Sequence, residues 1–250
     1  MQEKAYKLLA LQENISNREA KDLIDRGLVF SHGKKIVLAR VLMKEGTKFN
    51  LLKMKKPQIL FEDEKILAIN KPYSYISEEL ESEFKAKLLN RLDKETSGLI
   101  LLCKNEDFKK LCIEEFRKQR VYKSYIAVLD GVLAEELVVD EPIRTLKGKN
   151  GAFSKITKEG QSALSIINPL MIQGKKTLAK ICIQTGRTHQ IRVHTAFVKH
   201  PIIGDEKYGK IAADRMYLHS YELKILHYEF KANLDESFAK CGFELKNLEF

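Results

Sequence analysis

Between residues 59 and 230 the chain repeats one device: a short apolar run closed off by polar or turn-forming residues. It appears in ILFEDEKILAINKP (59–72), LILLC (99–103), KSYIAVLDG (123–131), LAKICI (178–183) and YLHSYELKILHYEF (217–230). Runs of this length bounded by Gly, Pro, Asn or Asp are strands joined by hairpins. Tyr125, Ala127 and Leu129 fall on one face of such a strand, as do Ala179, Ile181 and Ile183. Helical patterns are fewer. EELESEFKAKLL (78–89) is acidic first and basic last, as a helix dipole prefers, and DFKKLCIEEFRK places Phe108, Leu111, Cys112 and Phe116 on one stripe. Thr188 is placed to cap a helix over HQIRVHTAFVK that Pro201 stops. Hairpins with few helices predict an α+β fold, not a doubly wound sheet.

The N-terminal quarter has a different character. Residues 1–56 hold 13 Lys and Arg against 6 Asp and Glu, a net of +7 out of the +10 of the whole chain. A segment that basic attracts a polyanion, and nucleic acid is the usual one. AYKLLALQ reads as a helix, and Ser16 with Glu19 forms a capping box opening a second, on which Ala20, Leu23 and Ile24 share a face before Gly27 stops it. LVF and KIVLARVL then read as strands around the turn SHGKK, with KFNLL as a last strand. KMKKPQ is basic, short and broken by Pro57, as a linker is. The expected organisation is a domain over 1–53, a linker over 54–58 and a second domain over 59–250.

Cys103, Cys112, Cys182 and Cys241 are far apart and match no zinc spacing, so they read as packed thiols of a reduced, cytoplasmic protein. No apolar stretch approaches a membrane span, and MQEKAYKLLALQEN lacks a signal-peptide core. His189 and His194 are five apart rather than four, which disfavours a metal-binding helix face, and no metal is expected.

NRLDKETSG (90–98) spends Asp, Arg, Thr, Ser and Gly directly ahead of a buried-looking run. By itself Asp93 fits an Asx turn onto the amides of Glu95 or Thr96. TGRTHQIRVH, however, sets Arg187 on a strand-to-helix corner, where side chains face clefts. A guanidinium there can hold a carboxylate ionised and oriented, and Tyr125 can supply an aromatic face. Asp, Arg and Tyr together suit a nucleophilic site that handles a base.

Two resemblances sharpen this reading. Arg18, Ala20-Lys21, Leu23-Ile24, Gly27 and the turn Ser31-His32-Gly33-Lys34 resemble the RNA-binding domain first described in ribosomal protein S-four, with Ser31-His32 in place of the usual Val-Asn. That likeness implies RNA contacts from Arg18, Lys21, Lys34 and Lys35. NRLDKETSG, KSYIAVLDG, TGRTHQIRVH, HPIIGDEKYG and YLHS resemble the successive motifs of the RluA-type pseudouridine synthases over residues 59–230, with Asn90 where that family has His. The likeness implies a mixed, largely antiparallel sheet and isomerisation of uridine in RNA without a cofactor. It makes Asp93 the catalytic carboxylate, Arg187 its partner, Tyr125 the ring packed on the base and helper in removing the proton from ring carbon five, and Arg91 the side chain that replaces the extruded base. The expected partner is RNA, ribosomal before transfer RNA, met by a monomer. Two rivals stand beside it: a catalytically impaired RNA-binding or ribosome-assembly factor that keeps the fold, and a metal-dependent RNA hydrolase, for which no ligand cluster is visible.

Overall fold

The computed structural model describes residues 1–148 and 151–244. The backbone gathers into two compact units, Met1–Lys56 with Pro72–Tyr75, and Pro57–Lys71 with Ile76–Phe250.

The first unit runs β1 (Gln2–Lys4), α1 (Ala5–Glu13), α2 (Asn17–Asp25), β2 (Val29–Ser31), β3 (Lys34–Lys35), β4 (Leu42–Lys44) and β5 (Asn50–Leu51). Asn14 ends α1 in the left-handed conformation, and both arms of the Ser16–Glu19 capping box start α2. Ala5, Leu9, Ala20 and Ile24 of the two helices pack with Val29 and Phe49. KIVLARVL, expected as one strand, is not one: only Lys34–Lys35 and Leu42–Lys44 are extended and paired. The reason lies in α1. The carbonyls of Ala39 and Val41 accept from the amides of Tyr6 and Ala5, donors that the first turn of a helix otherwise leaves unsatisfied.

The second unit is one large sheet with helices and hairpins appended. Its elements are β6 (Gln58–Glu62), β7 (Ile66–Lys71), α3 (Glu79–Phe84), β8 (Lys87–Leu88), β9 (Ser97–Cys103), α4 (Glu106–Arg117), β10 (Tyr122–Asp130), β11 (Leu137–Asp140) and β12 (Ile143–Gly148). There follow β13 (Gly151–Ile156), β14 (Leu164–Gln173), β15 (Lys176–Ile183), α5 (Gln190–Phe197), β16 (Leu218–Ile225) and β17 (Tyr228–Lys231). The sheet order is β11-β14-β15-β10-β16-β9-β7-β6, with β8 on β9 and β17 on β16. Tyr125, Ala127, Leu129, Ala179, Ile181 and Ile183 share one core, as their alternation requires, while Ile126, Val128 and Leu178 point into the core on the opposite face. The fold is thus α+β with a mixed, largely antiparallel sheet.

Two helices differ from expectation. The acidic-to-basic stretch over 78–89 is helical only to Phe84, because Lys85 turns left-handed and Lys87–Leu88 pair with β9. On α4 the buried stripe is Phe108 and Cys112, and Leu111 stays 58% exposed.

The seam that matters is between β9 and β16. It is the parallel pairing in an otherwise antiparallel sheet, and it consists of Ser97 opposite His219 and Gly98 opposite Ser220. Gly98 has φ +107°, and a Cβ placed on it would lie 2.2 Å from the Ser220 carbonyl oxygen. Only glycine lets the two backbones approach this closely. Gly98→Ala is therefore expected to cost roughly 3 kcal/mol or more in denaturant unfolding, through strain and forced separation of the strands.

Candidate active site

The loop ahead of β9 is held from several sides. Asn90 accepts the Leu101 amide through its side-chain oxygen at 2.8 Å, so this residue braces β9. The Ser77 hydroxyl donates to the Leu92 carbonyl at 2.8 Å and accepts the Leu92 amide at 3.2 Å. The Thr96 amide donates to the Asp93 carbonyl at 3.0 Å and closes the turn. Beneath it, the wholly buried Lys71 donates to the Lys94 carbonyl at 3.3 Å. Burial pushes that ammonium down to about 7, with Glu95 and Asp93 pulling the other way. At the seam, Ser97 Oγ accepts from Arg215 at 2.6 Å and donates to His219 Nδ1 at 2.8 Å, while His219 Nε2 donates to the Ala232 carbonyl at 2.9 Å. Burial pushes His219 down to about 4 and keeps it neutral.

The second wall is the β15-to-α5 corner. Thr188 does not cap α5; the residue at that position is His189, left-handed with φ 56° and without a side-chain cap bond. Gln190 takes over the duty. Its side-chain oxygen accepts from the Thr185 hydroxyl at 2.7 Å and the Arg187 amide at 3.0 Å, while its amide nitrogen donates to the Leu164 carbonyl at 2.9 Å. This clamp ties α5 to β14. One turn on, His194 is fixed between the Ser165 hydroxyl and the Glu141 carbonyl, each 2.9 Å away.

With the corner locked, Arg192 points inward. Its Nε and Nη2 make a bidentate pair with the wholly buried Asp205 at 2.7 and 2.8 Å, and its Nη1 donates to Asp93 Oδ2 at 2.9 Å. Burial opposes the charge on Arg192, but the hydrogen bonds and charge of Asp205, then those of Asp93, outweigh it and raise its pKa further. Burial likewise works against the Asp205 carboxylate, and the Arg192 bonds with the Lys207 and Tyr208 amides hold it below the usual range. Tyr208 accepts the Ser154 amide and donates to His189 Nδ1, both at 2.8 Å. Burial, partly opposed by Asp93, keeps His189 below its ordinary pKa, and its Nε2 lies 3.7 Å from Asp93 Oδ2.

These walls line an open pocket of about 90 Å³ whose lining includes Arg91, Asp93, Thr96, Tyr125, Arg187, His189 and Arg192. Asp93, Tyr125 and Arg187 thus converge, with Arg91 at the rim. The Asp93 carboxylate keeps 26% exposure, so it is oriented by Arg192 and still reachable. Arg91 is 72% exposed and pairs loosely with Glu78 at 3.3 Å. Tyr125 is 8% exposed, and burial pushes its phenol up to about 12. One pairing differs from expectation: the guanidinium on Asp93 belongs to Arg192, while Arg187 donates through Nε to the Ser162 carbonyl at 3.0 Å. Arg187 sits on the exposed corner, whereas Arg192 lies inside the helix, where an inward cation has buried carboxylates to meet. The signal in the sequence was weak: Ile191 and Val193 flank Arg192, but adjacent residues on a helix point in different directions, so its burial could not be read from them.

The remaining expected contacts belong to the first unit. Arg18 lies exposed on α2, Lys34 on β3, Lys21 sits 4.3 Å over the Tyr6 ring, and Lys35 donates to the Tyr73 hydroxyl at 3.2 Å. Among the described residues, no group of three or more His, Cys, Asp or Glu could hold a metal ion, and no helix is long and apolar enough to cross a membrane.

The family model described as RNA pseudouridylate synthase matches residues 51–197. An uncharacterized RNA pseudouridine synthase of Helicobacter pylori is 49% identical over 94% of this chain and 99% of its own length. The ribosomal large subunit pseudouridine synthase C of Pasteurella multocida is 31% identical over 73% of this chain and 64% of its own, and the tRNA pseudouridine synthase C of Vibrio cholerae is 29% identical over 68% and 85%. Human RNA pseudouridylate synthase domain containing 1 shares the fold, with a TM-score of 0.62 at 22% identity over 73% of this chain and 84% of that one. The chain belongs to the RluA-type family of RNA pseudouridine synthases, isomerases that act on uridine in RNA.

Two outcomes follow from the polar groups around the pocket. Asp205→Ala leaves Arg192 buried with only Asp93 and Glu95 near it, and is expected to lower unfolding free energy by roughly 3–5 kcal/mol in urea titration. For His219, the folded pKa lies below that of the unfolded imidazole, so as pH falls the unfolded chain takes up the proton first. Stability should decline from about pH 6.5 to about pH 4, by up to roughly 3 kcal/mol, and level off below. The same pH series on His219→Gln should lack this component.

Proposed function

We propose that this chain converts specific uridines of large-subunit ribosomal RNA to pseudouridine, with Asp93 as the nucleophile. The observation that carries the reading is Asp93 itself, a carboxylate tethered by a buried arginine and open to a pocket of nucleobase size beside Tyr125. In the reaction the bond from the ribose anomeric carbon to N1 breaks, a bond from that carbon to ring carbon five forms, the proton on carbon five leaves, and N1 takes up a proton, so that the product is an isomer of the substrate. Asp93 attacks either the anomeric carbon or the ring and stabilises the separated halves while the base turns. Arg192 fixes the direction of attack through its hydrogen bond to Asp93 Oδ2.

Tyr125 is a phenol near neutral pH, with only about one part in 10⁵ as phenolate, so it serves as a packing face and donor before it serves as a base. Extruding a uridine costs a few kcal/mol, and the Arg91 guanidinium at the rim is placed to stack where the base had been. The basic first unit, residues 1–53 by its motif, is read as an S-four-type RNA-binding domain ahead of a catalytic domain over 59–250. Arg18, Lys21, Lys34 and Lys35 would meet the phosphates in a cytoplasmic setting. Support for ribosomal RNA comes from a relative named for the large subunit at 31% identity, against 29% for the transfer RNA enzyme.

The rival, an RNA-binding factor without activity, drew on Asn90 and on the short segment ahead of Asp93. Asn90 braces the Leu101 backbone through its side-chain oxygen, a role that needs no titrating group and is compatible with an active site. The deciding measurement is tritium release from RNA labelled at ring carbon five of uridine. Wild type should release label and Asp93→Ala should fall to background while still binding RNA; retained release in the variant overturns the role of Asp93.

A further inference from the structure

Beside the pocket, strands β10 and β15 part company. Their ladder ends at Ser124 opposite Cys182, yet both chains run on, β10 back to Tyr122 and β15 forward into Gln184 and Thr185. The splay opens a groove of about 460 Å³ lined by Arg120, Tyr122, Lys123, Ile166, Cys182 and Gln184 among others. Ile183 lines both this groove and the pocket beside Asp93, so the two adjoin.

Two cations meet at that junction. Lys123 donates to the carbonyls of Gln184 and Thr185 at 3.3 and 3.2 Å, and Arg187 spends only Nε, on the Ser162 carbonyl. Neither side chain has a carboxylate partner among the described residues. Lys123 Nζ lies 3.9 Å from where a Cβ on Gly186, the residue before Arg187, would sit, and burial, then the charge of Arg187, push Lys123 down to about 8. Two like charges held together against their repulsion mark a place where an anion belongs. Asp93 is already satisfied by Arg192, so that anion comes from outside the protein.

We infer that Lys123 and Arg187 seat the phosphodiester adjoining the target uridine, and that the groove beyond them, floored by the partly exposed Tyr122 ring, takes the neighbouring nucleotide of the same strand. The inference rests on the RNA substrate proposed above and adds a subsite to it. It gives Arg187 a task that its distance from the Asp93 pairing leaves open. Stacking on Tyr122 tolerates any base, while Arg120 and Gln184 at the rim can favour one.

The test is titration of a fluorescein-labelled oligouridylate at a series of potassium chloride concentrations. Removing one phosphate-binding cation should reduce the slope of log affinity against log salt by about 0.7, so Lys123→Gln and Arg187→Gln should each show that drop and the double variant twice it. Lys123→Arg should restore the slope. Tyr122→Ala should weaken binding roughly fivefold or more with the slope unchanged. Unaltered slopes in both Gln variants, or a wild type whose binding ignores salt, overturn the subsite. Should Lys123→Gln lose its thermal transition, Arg187→Gln decides alone. Tritium release is scored separately: release with unaltered slopes sinks only the subsite, whereas altered slopes without release from wild type sink only the isomerase reading.

Discussion

A guanidinium buried to 3% exposure sits at the centre of the second unit, and most of the site is arranged to keep it there. Arg192 without carboxylates would carry a desolvation penalty of several kcal/mol. Asp205 neutralises it from behind with two bonds and is itself fixed by two backbone amides. One nitrogen is left for Asp93. That geometry gives Asp93 its direction, with Oδ2 turned onto the Arg192 guanidinium at 2.9 Å.

Charge is distributed in two ways around the pocket. Inside, each cation meets an acid or a carbonyl: Arg192 meets Asp205 and Asp93, Arg215 meets Asp235, and Lys71 meets the Lys94 carbonyl. At the mouth, Lys123 and Arg187 have no acid partner among the described residues, and Arg91 has a loose and exposed one. Interior pairing sets the shape of the site, and uncompensated charge at its entrance suits a polyanion that brings its own counter-charge. The +7 surplus over residues 1–56 follows the same logic at a larger scale.

Much of this was legible from residue order. Alternation at Tyr125–Leu129 and Ala179–Ile183 identified the core face, because a period of two has one physical meaning in a half-buried strand. The Ser16–Glu19 box marked a helix start because both of its bonds are local. Convergence of Asp93, Tyr125 and Arg187 followed from the motif resemblance and could not be had from periodicity. The misses share a cause. KIVLARVL has strand propensity, but its carbonyls are needed by α1; Thr188 is a good cap, but Gln190 can reach three partners at once; Arg187 looked like the partner of Asp93 because it stands at a corner, whereas the choice between two arginines five residues apart depends on Asp205. Each was decided by a group distant in sequence, which local patterns do not encode.

The parallel seam has a consequence for how such a chain comes into being. Asp93 finds its guanidinium 99 residues downstream, and Ser97 finds His219 at a separation of 122. A polypeptide emerging from the ribosome therefore carries its acidic loop for a long interval before anything orders it. Contacts of such high separation form late, after the hairpins on either side. The candidate cleft depends on these distant contacts, and partly synthesised chains have strands of the fold without them.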